Sequence, residues 1–161
     1  FVTHESGRCM DRTEALGRSR AQNYTGQLRY ANEQILATVD ALLAAPGPKP
    51  IIILQADEGP WPEKYAGDEV MAFGRDVSNV DWRKATPGEL KEKMAIFSAI
   101  HAPRIQPASL HPAITPVNTF RLVLRDYFNV EIEPLPDRMM AYENAGDLYH
   151  FMNVTETLQG P

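Results

Sequence analysis

Cysteine is nearly absent from this sequence: Cys9 stands alone among 161 residues. That excludes an intrachain disulfide, and with only four histidines it excludes a cysteine-rich zinc site, while the redox compartment stays open. Positive charge is in short supply as well. Sixteen Lys and Arg face twenty-one Asp and Glu for a net charge of -5, so no basic field draws in a phosphate backbone and no nucleic-acid partner is expected. No apolar run reaches the roughly 18–20 residues that a membrane span requires, and nothing at the start reads as a signal peptide, so a soluble chain is expected. A Gly-x-Ser-x-Gly elbow, a Walker loop and a dinucleotide fingerprint are all missing. What is there, 161 residues of which 43% are hydrophobic and 23% charged, predicts a single globular domain over residues 1–161. A chain this long buries roughly 68–70% of its unfolded surface without a metal or a disulfide.

Residues 3–18 are polar and aperiodic, which reads as a loop or arm. From Tyr24, Leu28, Ala31, Ile35, Val39 and Leu42 recur at spacings of three and four, widened by Leu36 and Leu43, so a helix of about 20 residues should lay one face on a core. Ala44-Ala45-Pro46-Gly47-Pro48 ends it, because proline lacks the amide hydrogen and clashes with the preceding turn. Ile51-Ile52-Ile53-Leu54 is a continuous β-branched run, as expected of an interior strand buried on both faces of a parallel sheet. Helix, short loop and buried strand together predict a layered α/β/α domain with a mostly parallel sheet. Residues 59–92 read as a long surface excursion anchored by Trp61, Tyr65, Phe73 and Trp82, and residues 94–101 as a second interior strand. Thr115-Pro116 opens a helix whose apolar face is Val117, Phe120, Val123, Leu124, Tyr127 and Phe128. Leu135-Pro136-Asp137-Arg138 is a turn, with short strands following at residues 139–142 and 151–155.

In open α/β sheets ligands gather beyond the carboxyl ends of the strands, which here is Asp57-Glu58-Gly59-Pro60. Two adjacent acids at the mouth of a buried strand are costly unless a cation or donor answers them, and oxygen ligands suit Mg²⁺, Mn²⁺ or Ca²⁺ better than zinc. The competing reading is a solvated strand-end turn in which Asp57 caps backbone amides and Glu58 points to water. His101, at the end of the second strand, could share the sheet edge with Asp57 or be a satisfied core residue. His111 lies in a loop before a helix, and Thr115 reads first as that helix's cap. His4, His150 and Cys9 carry no catalytic signal.

Three segments in order carry a family resemblance: Gln27-Leu28-Arg29-Tyr30-Ala31-Asn32, then residues 50–60 around Ile53-Leu54-Gln55-Ala56-Asp57-Glu58-Gly59-Pro60, then Ile114-Thr115-Pro116-Val117-Asn118-Thr119-Phe120-Arg121. Together they resemble the C-terminal half of bacterial sulfatase-like hydrolases of the alkaline phosphatase superfamily, alongside the phosphoglycerol transferases and lipoteichoic-acid synthases. The resemblance implies a partial alkaline-phosphatase-like domain whose strand ends in Asp-His-Gly, with Asp and His on the active-site metal. It therefore places Asp57 and Glu58 at a metal position. A carboxylate stands here where relatives have a histidine. The resemblance assigns the nucleophile to an N-terminal half, and Phe1-Val2 reads as a strand already under way, so the chain is read as the C-terminal portion of a larger protein and inactive alone.

Two functions follow as expectations. The first is a part of a metal-dependent hydrolase or phosphoglycerol-type transferase acting on small-molecule or lipid-linked phosphate or sulfate esters, with Mn, Mg or Ca as cofactor. The second is a degenerate, non-catalytic binding or assembly module. Relatives often carry upstream membrane helices, which implies the extracytoplasmic face of a membrane-anchored parent. Exposing an interior strand edge predicts self-association of this piece.

Overall fold

The computed structural model describes residues 2–60, 62, 65, 81–144 and 146–159, which fall into two compact units, Phe1–Pro50 and Ile51–Pro161. In the first, strands β1 (Val2–Thr3) and β2 (Cys9–Met10) pair antiparallel, and the short helix α1 (Arg12–Leu16) leads into the long helix α2 (Arg20–Ala44). Residues 3–18 are thus a hairpin and a helix, not the loop or arm that their polar composition suggested. Ser19 and Gln22 start α2 with a reciprocal capping box, each side chain accepting from the other's amide. The turn between β1 and β2 requires Gly7. Its φ is +82°, and a β-carbon there would stand 2.5 Å from the Tyr30 ring.

Helix α2 ends where expected but starts at Arg20 and runs 25 residues, not about 20 from Tyr24, and its apolar face does not form a core. Gly26 is its one buried residue, while Leu28, Leu36 and Leu42 are exposed and Ile35, Val39 and Leu43 half-buried.

The second unit holds strand β3 (Ile52–Gln55), a 3-10 turn at Trp82–Lys84, helix α3 (Pro87–Met94), strand β4 (Ser98–His101), a 3-10 turn at Pro107–Ser109, helix α4 (Pro116–Phe128), strands β5 (Met140–Asn144) and β6 (Asp147–Asn153), and helix α5 (Thr155–Gln159). The expected layered α/β/α domain with a mostly parallel sheet is overturned here, and with it the partial alkaline-phosphatase-like domain that the resemblance implied. Among the described residues there are three separate two-stranded sheets, β1-β2, β3-β4 and β5-β6, all antiparallel. The apolar run at Ile51 to Leu54 does form a strand, but among the described residues it pairs only with β4, antiparallel, Ile52 opposite His101 and Gln55 opposite Ser98. A continuous apolar run records that both faces meet side chains. It carries no information on the direction or number of the neighbouring strands.

Two cores organise this unit. In one, Ala102, Ile105, Leu122 and Val123 are buried, and Ile51, Ile53, Ile100, Leu110, Ile114 and Tyr127 pack on them, which seats α4 against the β3-β4 pair. In the other, Trp82 is buried with Tyr65, Leu90, Ala141 and Val154, its indole 4.9 Å from the Tyr65 ring and edge-on to Tyr142 at 6.3 Å. Trp82 therefore anchors a core and not a surface excursion; Trp61 and Phe73 lie outside the described residues. Met94 ends α3, so the second strand begins only at Ser98.

Helix α4 starts at Thr115-Pro116 as expected, yet it buries Asn118, Thr119, Leu122 and Val123. Val117, Phe120, Leu124 and Phe128, which were expected to pack, are exposed, Phe128 at 65%. Strands β5 and β6 match the short strands expected at residues 139–142 and 151–155 in place, though each is longer.

Candidate functional site

Asp57 lies two residues beyond the carboxyl end of β3 and is exposed. Its Oδ1 accepts the Glu58 amide at 2.9 Å, an Asx-type contact within the turn. Glu58, 47% exposed, accepts a hydrogen bond from the ammonium of Lys93, which belongs to the last turn of α3. That lysine is 6% exposed and places its Nζ 5.9 Å from the centroid of the Trp82 ring. Burial pushes the Lys93 ammonium down to about 8, with the charge of Asp57 pulling the other way.

Gly59 explains why the turn meets α3 where it does. Its amide donates to the Lys93 carbonyl at 2.8 Å, satisfying one of the free carbonyls at that helix end. A β-carbon at residue 59 would stand 2.1 Å from the Glu92 carbonyl oxygen and 3.0 Å from those of Lys93 and Ala95. Only glycine permits this approach, and the approach is what sets Asp57 and Glu58 beside Lys93.

As a cage for a hard divalent cation, these residues fit poorly. Such ions take six or more oxygen ligands or a near-octahedral set. Here one carboxylate is tied to a turn amide and the other to an ammonium whose positive charge opposes a second cation. Among the described residues no group of three or more His, Cys, Asp or Glu converges. His101 is not brought to Asp57 either: it pairs with Ile52 at the far end of β3, and its Nε2 is buried without a hydrogen-bond partner.

No family model, curated protein or solved structure matches this chain. No described helix is long and apolar enough to cross a membrane.

A second constellation was not legible in the sequence. Asp137, in the segment before β5, accepts at Oδ1 from the Thr115 amide (2.6 Å), the Thr115 hydroxyl (2.6 Å) and Asn118 Nδ2 (2.9 Å). Asn118 also grips the backbone of Leu135 both ways, donating to its oxygen at 2.7 Å and accepting from its amide at 2.8 Å. The Thr115 hydroxyl therefore locks the 135–137 segment to the start of α4; it makes no cap hydrogen bond to the helix. His111 Nε2 lies 3.1 Å from the other Asp137 oxygen. Burial alone would raise the Asp137 carboxyl, but the bonds from Thr115 and Asn118 and the nearby His111 outweigh it and hold the group below the usual carboxylate range. Beside this lock is a cleft of about 370 Å³, lined by Ile96, Ser98, Ile100, Leu110, His111, Pro112, Ile114, Thr115, Pro116 and Met139. The signal that would have pointed to it is Asp137 itself, an acid in the Leu135-Pro136-Asp137-Arg138 segment, but nothing local links it to residues 111–118.

Proposed function

We propose that this chain is the C-terminal portion of a sulfatase-like protein in which a lysine has taken over the cation position, leaving a non-catalytic binding or assembly module. The observation that carries the reading is the Glu58–Lys93 ion pair next to Asp57. A divalent ion would otherwise neutralise the two carboxylates; here a covalently fixed ammonium does so, and Gly59 holds the helix end that supplies it close to the turn. The loss of a nitrogen ligand and the gain of a lysine act in the same direction, since both replace cation coordination by an internal charge pair. The resemblance through the Gln27, Asp57 and Thr115 segments supports the family assignment.

Calorimetric titration of the chain with Mn²⁺, Mg²⁺ and Ca²⁺ tests the proposal. No saturable heat is expected with any of the three. A micromolar affinity that Asp57→Ala abolishes would overturn it and favour a metal-dependent hydrolase or transferase acting on phosphate or sulfate esters.

A further inference from the structure

The first unit spends one side of α2 on its hairpin and leaves the apolar side uncovered. A β-carbon at Gly26, the buried residue of α2, would stand 3.6 Å from the Glu5 amide nitrogen, and Tyr30, one turn further on, is the residue that meets Gly7. Gly26 lies about 200° around the helix from Leu28, so the hairpin sits behind the stripe of Leu28, Ala31, Ile35, Val39 and Leu42. Leu28 and Leu42 are exposed, Ile35 and Val39 half-buried, and Leu36, which widens the stripe, is 63% exposed. Among the described residues of this unit, Met10 is the one buried hydrophobic side chain. A helix in a protein owes most of its stability to the packing of such a face, which calls for a covering surface here.

The stripe is complementary to itself when reversed. Turned end for end about Ile35, Leu28 comes opposite Leu42 and Ala31 opposite Val39, because the members of each pair are equally distant from residue 35. The charges favour the same direction. Arg20 and Arg29 stand in the N-terminal half of α2 and Glu33 and Asp40 in the C-terminal half. Arg29 follows Leu28 and Asp40 follows Val39, so both lie on one flank of the stripe, and reversal brings them within one residue of register. A parallel pair would instead set like charges side by side and align the two helix dipoles. From Tyr24 to Leu43 the stripe runs about 28 Å at the helical rise. It offers on the order of 500 Å² a side, so two copies bury about 1,000 Å², the size at which an interface becomes specific. We propose that α2 joins two copies of this chain as an antiparallel, two-fold helix pair whose axis passes beside Ile35, with Leu28 against the partner's Leu42 and Arg29 near the partner's Asp40. The Asp57–Glu58 turn takes no part in it, so its test and the metal titration fail independently.

Disulfide trapping in the full chain, with Cys9→Ser removing the native thiol, reads the pairing position by position. Ile35→Cys, on the two-fold axis, should oxidise to a covalent dimer at tens of micromolar chain. The reference is Ala37→Cys, exposed on the opposite side of α2, where only chance encounters join two chains. Paired thiols meet at an effective concentration on the order of millimolar, so Ile35→Cys should cross-link at least about tenfold faster than Ala37→Cys. Leu28→Cys and Leu42→Cys should each stay monomeric alone and cross-link when mixed. Adding Leu28→Glu to Ile35→Cys, which places a charge in the seam from an exposed position, should bring the rate down to that of Ala37→Cys. Leu28→Cys joining to itself as fast as Ile35→Cys does would show a parallel pair and overturn the proposal. So would Ile35→Cys cross-linking no faster than Ala37→Cys, the result expected if a different partner covers the stripe, and so would a rate that Leu28→Glu leaves unchanged.

Discussion

Replacing Gly59 by alanine tests how the Asp57–Glu58 turn is held. The added methyl would lie 2.1 Å from the Glu92 carbonyl oxygen, where carbon and oxygen normally keep at least about 3 Å, so the turn or the end of α3 must retreat by about an ångström. That retreat stretches the Gly59 N–H bond to the Lys93 carbonyl, now 2.8 Å, and loosens the packing of α3. Overpacking of this kind costs about 1–3 kcal/mol and the lost hydrogen bond about 0.5–1.5 kcal/mol, so Gly59→Ala should destabilise the second unit by about 2–4 kcal/mol. In a thermal melt that is a fall of roughly 5–15 °C. The control lies on the same helix. At Gly88, in the first turn of α3, an added β-carbon meets nothing closer than the Thr86 hydroxyl at 3.9 Å, so Gly88→Ala should be neutral or stabilise by up to about 1 kcal/mol. Urea denaturation of both variants reads the difference directly. A Gly59→Ala protein within about 0.5 kcal/mol of the parent would refute the close approach and, with it, the account of how Lys93 reaches Glu58.

Three further outcomes follow from the same geometry. Lys93 titrates at about 8 in the folded chain against an ordinary 10.5, so between those values the unfolded state binds more protons and the contribution of this group to stability rises with pH; denaturant midpoints across pH 8 to 10.5 should show the rise, and Lys93→Met should flatten it. Asn118→Ala removes the clamp on Leu135 and one bond to Asp137, and should cost about 1–3 kcal/mol in urea denaturation; a neutral result would mean that Thr115 alone holds the segment. Because β3 and β4 pair only with each other among the described residues, while Phe120 and Phe128 stand exposed on α4, the chain should self-associate at tens of micromolar in sedimentation, and a clean monomer would contradict this.

The elements that could be read from sequence are those whose ends are written locally. Pro46 stops α2, Thr115-Pro116 starts α4, and the β-branched run makes β3. Their partners could not be read. Apolar spacing on α4 pointed to Phe120 and Phe128, but the tertiary bonds of Asn118 and Asp137 turn a different face inward, since a buried amide with three good partners loses little by leaving water. Lys93 was invisible for the opposite reason. It sits in Pro-Gly-Glu-Leu-Lys-Glu-Lys, a stretch that reads as solvated, and only its position three residues after the buried Leu90 hints that it faces inward. Asp57 and Glu58 were found from their place after an apolar run, while the cation that answers them came from 35 residues along the chain. His111 and Asp137 meet across 26 residues of sequence with no shared pattern, and such pairs emerge only when the chain is folded.

The indole of Trp82 gives the molecule an optical gauge of its own. It is 1% exposed, so solvent does not broaden or quench its emission, and the ammonium of Lys93 stands 5.9 Å from the centroid of its ring. When that proton leaves, the electric field across the indole changes while its packing need not, and the fluorescence colour should shift with the ionisation of a single side chain. With Trp61→Phe to silence the other tryptophan, an alkaline titration in a cuvette would follow one buried charge without a label.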